Sequence, residues 1–457
     1  MNQVERYPKA KKTTQKSKDS LLFKLIHNWI GQLFGLGLLI GSMTGAAAQV
    51  QIGGLPAMRS DQANIHGVQF YKAGDQMSYP VLQLGQTGGL ELHFDDFDPH
   101  LKSYSYSYLH CDENWQPTLE SPFDYIQGFR EERIRNAQFS SISPTKYVHY
   151  SALLPTGQAT LKKSGNYLLK VFLDGDTSKL AFERRLLVVD PLVTVAAAVV
   201  RPNAGSAQDL QKLNLSINVS RLKVQNPQQQ IRVMVLQNYR WDNAVSSLQP
   251  SFMRGVNYEY NAERDLLFAA GKEYRFLDLL SFRFQSERIA AIRPATDADQ
   301  SAGYEVDLLP DLERKNVAYL PYQDFNGFFK IGASEQIRPS YQGSYGAVHF
   351  KYKPQGAGPY VGSNLYVLGQ FNNYQKNEAS QMRFNPSSGY YEKTLLLKQG
   401  YYSYLYGTSI NGQSVTNTDQ TEGNYWETEN TYTVLVYFQG FSDRSPQLVG
   451  LTTVSSR

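Results

Sequence analysis

The 457-residue chain holds one cysteine, Cys111. A lone thiol closes no internal disulfide, so stability has to come from packed cores even in an oxidising compartment. Histidines are sparse: after residue 48 they are His66, His93, His100, His110, His149 and His349, and none has H-E-x-x-H or comparable zinc spacing. There is no G-x-S-x-G, no Walker loop and no dinucleotide-binding glycine pattern. No catalytic, metal or cofactor residue is singled out, and no cofactor is expected. Paired carboxylates of the glycosidase kind stay open, because such partners lie far apart in a chain. Beyond residue 48, no segment is apolar enough to span a bilayer, so direct membrane insertion is not expected.

What is present begins with a leader. Lys9, Lys11, Lys12, Lys16, Lys18 and Lys24 form a basic region, Ile30 to Gly45 an uncharged apolar stretch, and Ala46, Ala47 and Ala48 an A-x-A cleavage pattern. Residues 1–48 are thus expected to be a cleaved signal peptide, with Gln49 the mature start. The stretch is glycine-rich and short of the roughly 20 residues a membrane anchor needs. No cysteine follows the cleavage site to take a lipid. The leader carries seven of the 45 basic residues and two of the 41 acidic ones, leaving 38 against 39 in the exported chain. That balance excludes electrostatic binding of nucleic acid.

Period-2 alternation recurs through the mature sequence, and helical periodicity is hard to find. Leu213, Leu215, Ile217 and Val219 alternate with polar neighbours; Ile231, Val233 and Val235 alternate with Arg232 and Met234; Tyr432, Val434, Val436 and Phe438 form a late strand. Turn pairs punctuate these runs at Asp174-Gly175, Asn326-Gly327 and Asn411-Gly412. The expected fold is all-β, in tandem immunoglobulin-like β-sandwich domains. Seams at the Asp190-Pro191 turn and around Ser334 to Tyr345 divide it into residues 49–190, 191–340 and 341–457.

Two clusters invite chemistry. Tyr104 to Trp115 alternates and then places His110, Cys111 and Asp112 side by side. Strand neighbours point to opposite faces, so a Cys-His nucleophile pair would need a bulge. Asp95, Asp96 and Asp98 have the composition of a calcium loop but lack its glycine and distal glutamate, so a solvated turn is expected. Tyrosine is abundant, at 32 residues. Several rings should line exposed faces, where their apolar bodies and polar tips suit contact with a large partner. The Trp115 to Gly128 loop, with Tyr125, and the Tyr239 to Asn243 turn are the expected contact loops. Trp115 and Trp241 themselves are expected to be buried anchors.

Two resemblances sharpen this reading. Leu365-Tyr-Val-Leu-Gly-Gln-Phe-Asn-Asn-Tyr374, Met382, Gly389-Tyr-Tyr-Glu392 and Lys398-Gln-Gly-Tyr-Tyr-Ser-Tyr404 resemble early-set immunoglobulin-like modules related to glycogen-binding domains. That resemblance implies stacking of aromatic rings on sugars, with Tyr374 where such modules usually carry tryptophan. Nearly the whole mature chain resembles the type IX secretion system plug protein family. The matching runs include Tyr79-Pro-Val-Leu-Gln-Leu-Gly85, His110-Cys-Asp-Glu-Asn-Trp115, Tyr125-Ile-Gln-Gly128, Arg184-Arg-Leu-Leu-Val-Val-Asp190, Val235-Leu-Gln-Asn-Tyr-Arg-Trp-Asp-Asn243 and Asp324-Phe-Asn-Gly327. This resemblance implies a non-enzymatic periplasmic protein that closes the periplasmic opening of an outer-membrane translocon barrel. Tyr125, Tyr239 and Tyr374 are then the candidate partner-binding residues, and an exported carbohydrate-binding protein is the alternative.

Overall fold

Alternation in the sequence becomes three β-sandwiches in the computed structural model, which describes residues 55–203, 207–246, 248–296, 302–356, 358–410 and 416–457. The expected leader and the Asn411-Gly412 turn lie outside the described residues. In the first sandwich, antiparallel strands Ile65–Lys72, Leu90–Asp96, Val148–Leu154 and Asn136–Phe139 form one sheet. The other sheet runs Val81–Gln83, Leu180–Val189, Gly165–Leu173, Tyr104–Cys111, Glu131–Arg133. Leu90, Leu92 and Phe94 from one sheet meet Tyr104, Tyr106, Leu169 and Val171 from the other in a single core.

The next two sandwiches are nested rather than consecutive. Strand Ile231–Gln237 pairs antiparallel with Thr431–Phe438, which pairs with Gln447–Ser455. This sheet shares a core with strands Thr194–Val200, Leu210–Asn218 and Asn257–Tyr260, through Leu213, Leu215, Ile217, Val233, Val235, Val434 and Val436. The chain between forms the third sandwich, in which Arg275–Asp278 pairs with Gly400–Ile410, and Tyr304–Leu308 runs parallel to Tyr345–Lys353. The boundary expected at residue 340 is therefore corrected. It falls inside the third domain, and the last two strands belong to the second. A local seam, with Pro339 and two glycines, reads the same whether it separates domains or joins strands of one.

Sheets buried on both faces explain the continuous apolar runs. Val233 and Val235 face their own core, whereas Met234, Leu236, Leu435, Tyr437 and Leu448 pack with Cys111, Trp115 and Leu187 of the first domain. The tyrosine expectation needs correction too, since most of the largest fully buried side chains are tyrosines. A buried hydroxyl is tolerated when it is hydrogen-bonded. Tyr104 donates to Asp96 at 2.7 Å, Tyr437 to Asn166 at 2.8 Å, and Tyr404 and Tyr406 both to Asp311, at 2.7 and 2.8 Å.

The acidic cluster is likewise internal. Asp95 and Asp96, expected in a solvated turn, are 1% and 0% exposed at the end of strand Leu90–Asp96. Asp96 accepts from Tyr104 and pairs with Lys102 at 3.0 Å. Asp95 reaches across to the third domain, where it pairs with Lys398 and accepts from the Tyr345 hydroxyl, both at 2.5 Å. His149 bonds its other oxygen at 2.6 Å, and His93 stands 3.1 Å behind His149. Burial disfavours charge on Asp95, but Lys398 and His149 outweigh it and hold the carboxyl below its ordinary range.

Removing one partner of a buried pair costs about 3–5 kcal/mol, because the other charge is left uncompensated. Asp95→Asn should therefore lower the urea midpoint sharply at neutral pH, and adding Lys398→Met should recover most of the loss. The folded carboxyl lies below its unfolded value, so its contribution is present above the ordinary carboxylate range and lost as pH falls through the folded value. That part of the acid slope should vanish in Asp95→Asn. A second expectation concerns the nesting: an excised 341–457 fragment, lacking strands 275–331, should show no cooperative unfolding in circular dichroism.

Candidate functional site

Strand geometry separates the pair that sequence places side by side. His110 lies on the inner face of strand Tyr104–Cys111, packed against Tyr125 and Tyr167, with ring centroids 5.5 and 4.9 Å away. Cys111 faces the second domain among Leu187, Met234 and Leu435. Burial pushes its thiol up to about 12 and lowers the His110 imidazole below its ordinary value. A thiol held protonated, on the opposite face from a neutral imidazole, is not poised as a nucleophile. No cluster of three or more His, Cys, Asp or Glu among the described residues has metal-binding geometry.

The richest constellation is the junction of all three domains. Tyr79 of the first domain stacks on Tyr239 of the second at 3.7 Å and meets Phe328 of the third at 4.8 Å. Trp115 and Trp241 cross edge to face at 4.8 Å, and the Arg185 guanidinium lies 4.7 and 5.1 Å from their ring centroids. Trp115 is buried, at 3% exposure, as an anchor should be, and Trp241 is half-buried. Beside them Arg240 pairs with Asp242 at 2.8 Å and lies 5.1 Å from the Tyr374 ring.

Two turns of similar construction deliver these rings. After strand Ile231–Gln237, Asn238 and Tyr239 take left-handed φ values of 52° and 54°; after the Gln370–Asn372 turn, Asn373 and Tyr374 do the same, at 52° and 54°. Asparagine tolerates this region, whereas tyrosine pays about 1–3 kcal/mol, so the surrounding packing must hold it there. The Asn238 carboxamide does so, accepting from Thr431 N–H at 2.9 Å and donating to Asn430 at 2.8 Å. The Asn326-Gly327 turn supplies space: Gly327, at φ 84°, lies where a Cβ would overlap the Tyr374 hydroxyl.

The three tyrosines proposed as exposed contact residues are all buried. Tyr125 is 2% exposed, Tyr239 8% and Tyr374 6%. Tyr125 closes the first core above His110, while Tyr239 and Tyr374 turn into the junction because left-handed residues redirect the chain inward. Tyr374 also bonds the Tyr274 hydroxyl at 3.1 Å, so its face is not free to stack on a sugar. The Trp115 to Gly128 loop does reach solvent, but through other residues. Pro122 starts a single helical turn, Pro122–Tyr125, with the Asp124 carboxylate accepting from Ser121 N–H at 3.0 Å. That turn sends Tyr125 inward and Phe123 outward. Phe123 is 63% exposed and capped by Arg130 at 3.3 Å, with Leu119 99% and Phe129 61% exposed nearby in sequence. Sequence reading missed these, and it missed the contact of Arg185 with both tryptophans, whose signal was an arginine pair just before the apolar run Leu186 to Val189.

Comparison with known proteins bears on identity. A family profile described as the first domain of the type 9 secretion system plug protein matches residues 65–190, which span the first sandwich. A crystal structure of a hypothetical protein from Parabacteroides merdae is similar over 87% of this chain and 98% of that one, at 31% sequence identity and a TM-score of 0.82. No curated protein matches. The chain belongs to the type 9 secretion system plug protein family, with a role in type 9 secretion.

Proposed function

We propose that this protein is a non-enzymatic periplasmic plug that closes the periplasmic opening of the type 9 outer-membrane translocon through protein-protein contacts. Its export would use the cleaved leader of residues 1–48. The observation that carries this reading is mechanical: a plug must not deform when it docks, and here each pair of domains is latched by buried contacts. Met234 and Leu435 pack on Cys111, Lys398 pairs with Asp95, and Arg240 lies over the Tyr374 ring. No helix of the described residues is long and apolar enough to cross a membrane. The expected partner is the translocon barrel itself.

Docking is assigned to the loop that the sequence pointed to, carried by Leu119, Phe123 and Phe129 rather than by Tyr125. Exposed apolar side chains near a polar rim mark contact surfaces. Tagged protein used as bait on detergent-solubilised outer membranes should recover a very large barrel protein as its main partner, identified by mass spectrometry. Recovery of no barrel would sink the proposal. The triple variant Leu119→Ser, Phe123→Ser, Phe129→Ser should keep its melting temperature, because these side chains are exposed, yet lose at least tenfold in recovered barrel. Unchanged recovery would remove this loop from the interface.

A further inference from the structure

A row of titratable groups runs from solvent into the seam between the first and third domains. Side-chain exposure falls along it, from 33% at Glu91 through 21% at His93 and 8% at His149 to 1% at Asp95, which meets Lys398. All four lie on the outer face of the first sheet, because Glu91, His93 and Asp95 alternate on one strand and His149 stands opposite Asp95 on the next. Glu91 Oε2 is 3.4 Å from His93 Nε2, His93 Nδ1 is 3.1 Å from His149 Nε2, and His149 Nδ1 is 2.6 Å from Asp95 Oδ1. The two imidazole centroids are 5.3 Å apart, close to the largest separation that a 3.1 Å contact allows. Their nitrogens therefore meet head-on, as a single shared proton requires.

Counting protons fixes what this row tolerates. A carboxylate only accepts, so the three contacts need three N–H groups from the four ring nitrogens. Two neutral imidazoles supply two, which leaves one contact open. One added proton completes all three. A second sets N–H against N–H at the centre and places two cations beside Lys398. The surrounding elements do not relieve that repulsion. Gln69 and Gln138, opposite His93 and His149 on the flanking strands, do not titrate. Tyr71 stacks on His93 at 5.7 Å with its hydroxyl raised by burial, so it stays neutral. His66, opposite Asp95, is a further imidazole, lowered by burial. The third domain brings the Lys398 cation and the Tyr345 hydroxyl, both already bonded to Asp95, and the Tyr147 ring lies 4.4 Å from the Lys398 ammonium.

We propose that His93 and His149 form an acid-sensitive control on this seam: with at most one added proton between them they brace Asp95 for Lys398, and a second proton parts the rings and loosens the third domain from the first. Burial and the nearby His149 lower the His93 imidazole below its ordinary value. The opened seam, with its imidazoles in water, binds more protons than the closed one, so acid favours opening. The two rings titrate as a pair, and the transition belongs to both. Asp95 stays ionised throughout, because its carboxyl is held below its ordinary range. The device concerns the seating of two domains and does not depend on what the chain closes.

The test uses the full chain with one reporter thiol, Ser344→Cys, in the seam, where Ser344 is 5% exposed and bonds the Ser143 hydroxyl at 3.2 Å. Labelling by a dipyridyl disulfide, scaled to a peptide thiol at the same pH and located by mass spectrometry, reads seam opening. Protection should fall by about tenfold or more between about pH 7.5 and about pH 4.5, since one linked proton changes an equilibrium by up to about tenfold per pH unit. Cys111, buried against the second domain, should stay protected over the same range. His93→Gln keeps a hydrogen-bonding side chain that takes no proton, and should flatten the fall; His66→Asn should leave it as in the parent. A second readout needs no new thiol: in histidine-labelled 13C NMR of the unaltered chain, His93 and His149 should titrate together in two steps, and His149 alone in one step in His93→Gln. Protection that does not change with pH, a fall as large in His93→Gln as in the parent, a fall lost in His66→Asn, or independent titration of His93 and His149 would overturn the proposal.

Discussion

The pairing of Ile231–Gln237 with Thr431–Phe438 is the constraint on which the rest of the architecture depends. It joins neighbours about two hundred residues apart, and the strands from Arg275–Asp278 to Gly400–Ile410 between them fold as a domain of their own. Closure entropy grows only slowly with loop length, so a folded insertion adds little to the cost of that pairing. Two connections lead into the inserted domain, and they are tied side by side. The Gly271 N–H donates to Asn424 at 2.9 Å, and its carbonyl accepts from the Thr428 hydroxyl at 2.9 Å. A domain held by two adjacent strands of chain has less freedom to swing than one on a single linker, as the proposed plug would require.

Buried charge fixes the geometry that the nesting allows. Lys398 and Asp95 are far apart in sequence and meet only when the first and third domains seat correctly, so misplaced docking would leave both charges unpaired in the interior. Within the third domain, Arg275 binds Asp311 and Glu422 at 2.8 and 3.0 Å, and Arg314 binds Glu422 at 2.7 Å. Burial alone would raise Glu422, yet the two arginines hold its carboxyl down to about 2. Apolar packing would stabilise these places as well or better, but it would tolerate sliding. Ionic contacts reward one seating and penalise its neighbours. Arg185 stands apart, because it makes no ion pair among the described residues and instead lies against Trp115 and Trp241.

Much of this was legible in the chain, and what was not has identifiable causes. Leu213, Leu215, Ile217 and Val219 alternate and are all buried, because pleating alone decides which residues share a face. Alternation does not say what covers a face, so Met234 and Cys111 reveal a domain interface only in three dimensions. Asp95 read as solvated because its counter-charge is distant in sequence. Tyr239 read as part of a contact turn and Tyr374 as a partner-binding ring because left-handed backbone in a tyrosine has no sequence signature, although the asparagine before each one is a partial sign. The nested boundary was hidden for the same reason as the buried charges: single-chain patterns specify local geometry, and pairing between distant segments is a tertiary outcome.

The docking proposed above would be reversible on these magnitudes. Covering Leu119, Phe123 and Phe129 completely would contribute about 1.5–3 kcal/mol each. Association costs about 4–15 kcal/mol in lost translation and rotation. The exposed cluster therefore roughly offsets that cost and leaves little surplus, unlike an obligate interface of about 2,000–5,000 Å². Long-range steering would add little, since residues 49–457 carry 38 basic side chains against 39 acidic ones. On the proposed function, a gate held by such a surface would need additional contacts at the rim to stay closed, and losing a few of them would be enough to release it. Rigidity inside the body and economy at its surface are complementary: because the domains do not have to be ordered on docking, even a small patch is able to position the whole.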